Sequence, residues 1–123
     1  MTEPLATHVL VELWGVRTEL LNDAKGLERV LIEAARAARC EVLGALHHQF
    51  SPQGASVVVL VAESHLSIHT WPEHGYAAVD ILTCGKTLPE AGVASLVEHL
   101  APQRHSIDRV GRGLIAAPLR QIP

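Results

Sequence analysis

The segment Ser64–Trp71, SHLSIHTW, alternates with a period of two: Leu66 and Ile68 point one way, and His65, Ser67 and His69 point the other. That period belongs to a β-strand, and it gives the strand one apolar and one reactive face. A chain built around such a strand must cover the apolar face and account for the reactive one. The cover is visible upstream, where Leu27, Val30, Leu31, Ala34, Ala35 and Ala38 recur at three and four residues behind Asn22 or Asp23 as cap. A second helix is expected from the start signal at Thr87, Pro89 and Glu90, followed by Val93, Leu96, Val97 and Leu100.

Further strands are expected at His8–Leu13, Glu41–Phe50, Ala55–Ala62, Tyr76–Cys84 and His105–Val110. The turn SPQG, Ser51–Gly54, joins two of them as a hairpin, and WPEHG turns the chain before Tyr76. Residues 112–123, with their prolines and no period, are expected to form a tail. No repeat divides the 123 residues, so residues 1–123 are read as a single domain, large enough to bury roughly two thirds of its unfolded surface. The expected fold class is α+β: a two-layer sandwich in which two helices cover one face of a mostly antiparallel sheet. The opposite face, carrying His65, Ser67 and His69, would be covered by a second copy in a homodimer.

With 10 Lys plus Arg against 13 acids, the chain lacks the basic field that nucleic acid binding needs. Its longest apolar run, Val57–Ala62, is far short of the ~20 residues of a membrane span. No basic and apolar export signal follows Met1, so a cytoplasmic location is expected. Cys40 and Cys84 are then expected as free thiols, Cys40 as a small buried apolar group.

Three of the eight histidines and one of the two cysteines fall within Glu63–Gly85. A metal shared by His65 and His69 is disfavoured, because four residues along a strand separate them by about 13 Å. Ser64, His69 and Asp80 supply the residue types of a hydrolytic triad, but without a G-x-S-x-G elbow. The plain alternative is the solvated face of a strand.

The segment AESHLSIHTWPEHGYAAVDILTCG, Ala62–Gly85, resembles the processing and catalytic segment of the prokaryotic S-adenosylmethionine decarboxylase proenzymes, and FSPQG, Phe50–Gly54, resembles the turn preceding it. The resemblance extends more loosely over HVLVELWG and the LLND start of the first helix. Leu82 departs from it, standing where the family often carries Phe.

This resemblance implies that the chain makes its own cofactor. The Ser64 hydroxyl attacks the Glu63 carbonyl and turns the peptide into an ester. His69 then removes the Cα proton as processing base, with Ser56 assisting. Elimination leaves fragments 1–63 and 64–123, the second capped by a pyruvoyl group derived from Ser64. The pyruvoyl binds the α-amine of S-adenosylmethionine as a Schiff base and accepts the electrons released with carbon dioxide. Cys84, a thiol of ordinary pKa about 8.5, is the implied proton donor. Phe50 and Trp71 are implied adenine contacts and Glu73 a ribose or sulfonium contact. The implied product is the aminopropyl donor for spermidine synthesis, made by a homodimer of processed units. A decarboxylase of arginine or ornithine on the same fold, and an unprocessed scaffolding homologue, remain as alternatives.

Overall fold

The computed structural model describes residues 3–114. In chain order the elements are β1 (Pro4–Trp14), α1 (Thr18–Leu21), α2 (Ala24–Ala37), β2 (Glu41–Gln49), β3 (Ala55–Ala62), β4 (Ser64–Trp71), β5 (Tyr76–Thr83), α3 (Pro89–Leu100) and β6 (Arg104–Leu114). The six strands form one sheet in the order β2-β3-β4-β5-β1-β6, and every neighbouring pair is antiparallel. The expected α+β sandwich is therefore the observed one. The short α1 and a 3₁₀ turn at Pro72–His74 are additions to the two expected helices.

The two long helices lie where the apolar periods require. Asp23 caps α2 by accepting a 3.0 Å hydrogen bond from the Gly26 amide, which satisfies one of the free donors of the first turn. Leu27, Leu31, Ala34 and Ala35 of α2 then pack with Val93, Leu96 and Leu100 of α3 onto Val57, Val59, Leu66, Ile68, Val79, Ile81, Val9 and Val11. The helices approach closely at Gly92, where an added Cβ would lie 3.1 Å from the Ala34 carbonyl. Thr70, a polar side chain on this inner face, accepts from the Ala55 amide at 2.9 Å and donates to the Leu21 carbonyl at 2.7 Å, tying α1 to the sheet. Leu31 has no exposed surface. Leu31→Ala should cost about 2–5 kcal/mol by lost transfer and a residual cavity, read as a lower urea midpoint.

The bounds of β6, at one sheet edge, and of its neighbour β1 differ from expectation. β1 begins at Pro4 instead of His8, and β6 runs to Leu114, so residues 112–114 of the expected tail are strand; the rest of that expectation, residues 115–123, lies outside the described residues. The physical reason is the same for both strands, since they pair with each other. β6 is exposed along its whole length, so its backbone ladder with β1 holds it and no apolar period marks it. No helix among the described residues is long and apolar enough to cross a membrane.

Candidate active site

Register places the reactive side chains in rows across the face that the helices leave open. One row runs His48, Ser56, His69, Ala78, Glu12, Ser106; the next Leu46, Val58, Ser67, Asp80, Leu10, Asp108; the third Gly44, Leu60, His65, Leu82, His8, Val110. Directly opposed residues in an antiparallel sheet share a face. Leu46, Leu60, Leu10 and Val58 are 76%, 54%, 41% and 41% exposed, so apolar groups separate the polar ones on an uncovered surface.

At one end of this face, β3 and β4 are joined by the single residue Glu63, and Ser64 opens β4 opposite Val61 and Thr83. Ser64 has φ of 108°, a region that L-residues seldom occupy and that costs conformational energy. Cys84 follows β5 at the same end, and its Sγ donates to Glu63 Oε1 at 3.2 Å. That bond to a carboxylate, with some desolvation and the carboxylate's charge, raises the thiol's pKa. Both Cys84 and Cys40 are free thiols, and Cys40 is buried.

At the other end, Ser56 and His69 are hydrogen-bonded, Oγ to Nδ1, at 2.7 Å. They line a pocket of about 400 Å³ together with Phe50, Trp71 and Glu73. Trp71 is stacked at 5.3 Å on Tyr76, which stacks at 4.4 Å on Trp14, with Arg104 over the last ring. Tyr76 donates to Glu12 Oε1 at 2.7 Å, and burial with that acidic partner pushes the phenol up to about 12.

The candidate residues thus form two groups. Glu63, Ser64 and Cys84 occupy one end; Ser56, His69, Phe50, Trp71 and Glu73 occupy the other. Ser64 and His69 are five residues apart on one strand, about 16 Å along it, and of opposite parity. One chain does not bring Ser64 and His69 together.

Between the ends lies a cluster that sequence reasoning missed. Asp80 Oδ2 meets His8 Nε2 at 2.6 Å and His65 Nε2 at 3.2 Å, and Ser67 donates to Asp80 Oδ1. Arg112 Nη1 lies 2.9 Å from His8 Nδ1. The three possible ligand atoms of His8, His65 and Asp80 fall within 4.8 Å of one another, the spacing of a metal site. The donor chemistry fits protons better. Arg only donates, so His8 Nδ1 must be the acceptor and Nε2 must carry the hydrogen that faces Asp80. A metal on Nε2 of a neutral His8 would set an Nδ1–H against the guanidinium. Burial raises the Asp80 pKa, but hydrogen bonds from Ser67, His8 and His65 outweigh it and hold the carboxyl below its usual range.

Fold and site together define a two-layer α+β protein whose reactive groups line an open sheet face. A family model described as S-adenosylmethionine decarboxylase matches residues 7–113. An S-adenosylmethionine decarboxylase proenzyme of Brevibacillus brevis is 51% identical over 108 residues, covering 87% of this chain and 81% of the relative. One of Thermodesulfovibrio yellowstonii is 41% identical over 120 residues, covering 97% and 89%. The crystal structure of the adenosylmethionine decarboxylase from Aquifex aeolicus matches with a TM-score of 0.85 at 34% identity, covering 97% of this chain and 99% of that one. The chain belongs to the S-adenosylmethionine decarboxylase family.

Proposed function

We propose that the chain is a proenzyme that cleaves itself between Glu63 and Ser64 and then decarboxylates S-adenosylmethionine. The observation that carries this reading is the 3.2 Å contact of Cys84 with Glu63, which joins a proton donor to the cleavage turn in a member of this family. The relatives are S-adenosylmethionine decarboxylase proenzymes, which supports that substrate over a smaller amino acid.

The Ser64 hydroxyl is tethered next to its own peptide bond, which gives an intramolecular attack a high effective concentration. Its Oγ adds to the Glu63 carbonyl carbon, the C–N bond breaks, and the nitrogen, which keeps its own hydrogen and takes the one given up by the hydroxyl, becomes the free amine of an ester. A base then takes the Cα proton of residue 64, the Cα electrons form a double bond to Cβ, and Oγ leaves with Glu63 as a new carboxylate. Addition of water and loss of ammonia yield the pyruvoyl group, for which Ser64 is a fitting precursor: a hydroxyl at a strained turn, beside a thiol. Once formed, that group supplies an electron sink for the pair released as carbon dioxide leaves. Cys84 holds a proton at Sγ for the substrate Cα. Trp71, backed by Tyr76, offers a flat face to an adenine ring, with Phe50 in the same pocket and the Glu73 carboxylate available to a ribose hydroxyl or a sulfonium.

The separation of the two ends supports a homodimer. A second copy laid across the open face, with strands reversed, sets the Ser56–His69 end of one protomer over the Ser64–Cys84 end of the other and buries Leu10, Leu46, Val58 and Leu60. His69 then serves as processing base for its partner. Expressed alone, Ser64→Ala and His69→Ala should each remain uncleaved, the second stalled at an ester that hydroxylamine cuts. Co-expressed, each pair has one site with an intact Ser64 and an intact His69, so the His69→Ala chain should be cleaved in trans. If co-expression leaves both chains whole, the shared site is wrong. The function itself is tested by a denaturing gel and by carbon dioxide release from S-adenosylmethionine. Two fragments of about half size and release from that substrate are expected; a chain that stays whole, or release from arginine or ornithine alone, would overturn the reading.

A further inference from the structure

Cleavage between Glu63 and Ser64 creates a mechanical difficulty. Before it, residue 64 is held from both sides, by the one-residue turn from β3 and by the body of β4. After it, the same residue is a chain end, and chain ends fray unless something ties them down. Yet the group at that end is the one that must be held to a fraction of an ångström for catalysis, where a displacement of about 1 Å costs roughly 10²-fold in rate.

The residue next to it is tied down from the side. His65 donates from Nε2 to Asp80 on β5; Asp80 is braced by Ser67 of β4 and His8 of β1; and His8 is fixed in its tautomer by Arg112 of β6. The chain of bonds thus crosses four strands, from the cut strand to the far edge of the sheet. Each donor has an acceptor: Asp80 accepts three bonds on two oxygens, and hydrogen bonds to a carboxylate are stronger than neutral ones. His65 and His8 also meet edge to face, with ring centroids 6.3 Å apart. Nothing in the processing or decarboxylation steps above uses these four side chains.

We propose that the Arg112–His8–Asp80–His65 network is an anchor for the new N-terminus, with Asp80 and His65 acting as positioning residues through residue 64. The proposal rests on the self-cleavage reading, since without a cut there is no end to hold. It makes the network dispensable in the intact chain, where the covalent turn does the same work, and necessary in the cleaved one.

That asymmetry is the test. Asp80→Asn keeps the shape of the side chain and removes its charge. It should cleave as the wild type does on a gel. In the cleaved protein, amide hydrogen exchange at His65 and Leu66 should quicken about tenfold. In the uncleavable Ser64→Ala background the same substitution should change exchange by less than about twofold. Turnover should follow, with kcat down about 10- to 100-fold and KM within about threefold, because the lost quality is alignment of residue 64 and not substrate affinity. Should Asp80→Asn fail to fold, His65→Leu at its half-exposed position removes the same bond and carries the same expectations. An equal acceleration in both backgrounds would reduce the network to a fold element. Unchanged exchange and kcat in the cleaved variant would overturn the anchor alone, whereas a wild-type chain that never cleaves would overturn both readings.

Discussion

Ser64→Ala should remain one chain of 13.3 kDa and release no carbon dioxide, whatever the incubation time. The substitution removes a single oxygen from a half-buried position at the start of β4, where a methyl side chain fits, so the sheet and the helical layer should be unaltered by circular dichroism. The loss is total because it acts twice. Without Oγ there is no nucleophile to convert the Glu63 peptide into an ester, and without the ester there is no leaving group to eliminate, so the precursor of the pyruvoyl group never forms. A partial defect would point instead to a role in substrate contact. Two fragments from the Ala variant would mean that the bond is cut by another group or another protein, and the proenzyme reading would fail.

The apolar periods of α2, α3 and the central strands carried the fold plainly, because each of those elements buries one face against the other layer. Leu66 and Ile68 are in the core where their alternation puts them, and Asp23 caps α2. β6 was expected only over His105–Val110 and not to its full length, since an edge strand held by backbone bonds needs no buried face. The sequence named candidate residues for the site and did not show their layout. ESHLSIHT sets Ser64 and His69 close in sequence, while a strand holds them about 16 Å apart, and the 3.3 Å rise that argues against a His65–His69 metal argues equally against a one-chain Ser64–His69 pair. The anchor network was illegible for a different reason. Its members, His8, His65, Asp80 and Arg112, meet only because the strand order runs β4-β5-β1-β6, and no local period encodes that order. The one available signal was Asp80 itself, an acid in the otherwise apolar run AAVDIL.

Cys84→Ser should cleave normally and then lose about 10²- to 10⁴-fold of its turnover, the range expected for removing a positioned general acid. The two substitutions thus separate the two halves of the chemistry, since Ser64→Ala stops cleavage and Cys84→Ser acts after it. The hydroxyl of the variant is close in size to the thiol but is a far weaker acid, so proton delivery to the substrate Cα slows. A proton that arrives instead at Cα of residue 64, followed by water that releases the decarboxylated substrate as an aldehyde, leaves residue 64 with the substrate's amine as alanine, and the mass of the 64–123 fragment should drift to that value during exposure to substrate. Glu63 is expected to set the pH range over which the Cys84 thiol stays protonated. Its carboxylate accepts a hydrogen bond from the Sγ–H and raises the thiol's pKa, so the protonated donor persists to higher pH than an ordinary cysteine would allow. Glu63→Gln keeps an acceptor oxygen and removes the charge; the thiol's pKa should fall, and the alkaline limb of the kcat profile should move to lower pH. Alkylation of Cys84 by iodoacetamide, which follows the thiolate fraction, should speed up at neutral pH in the same variant. Unchanged alkylation together with an unmoved alkaline limb would show that Glu63 does not govern the thiol, and wild-type turnover in Cys84→Ser would remove Cys84 from the reaction.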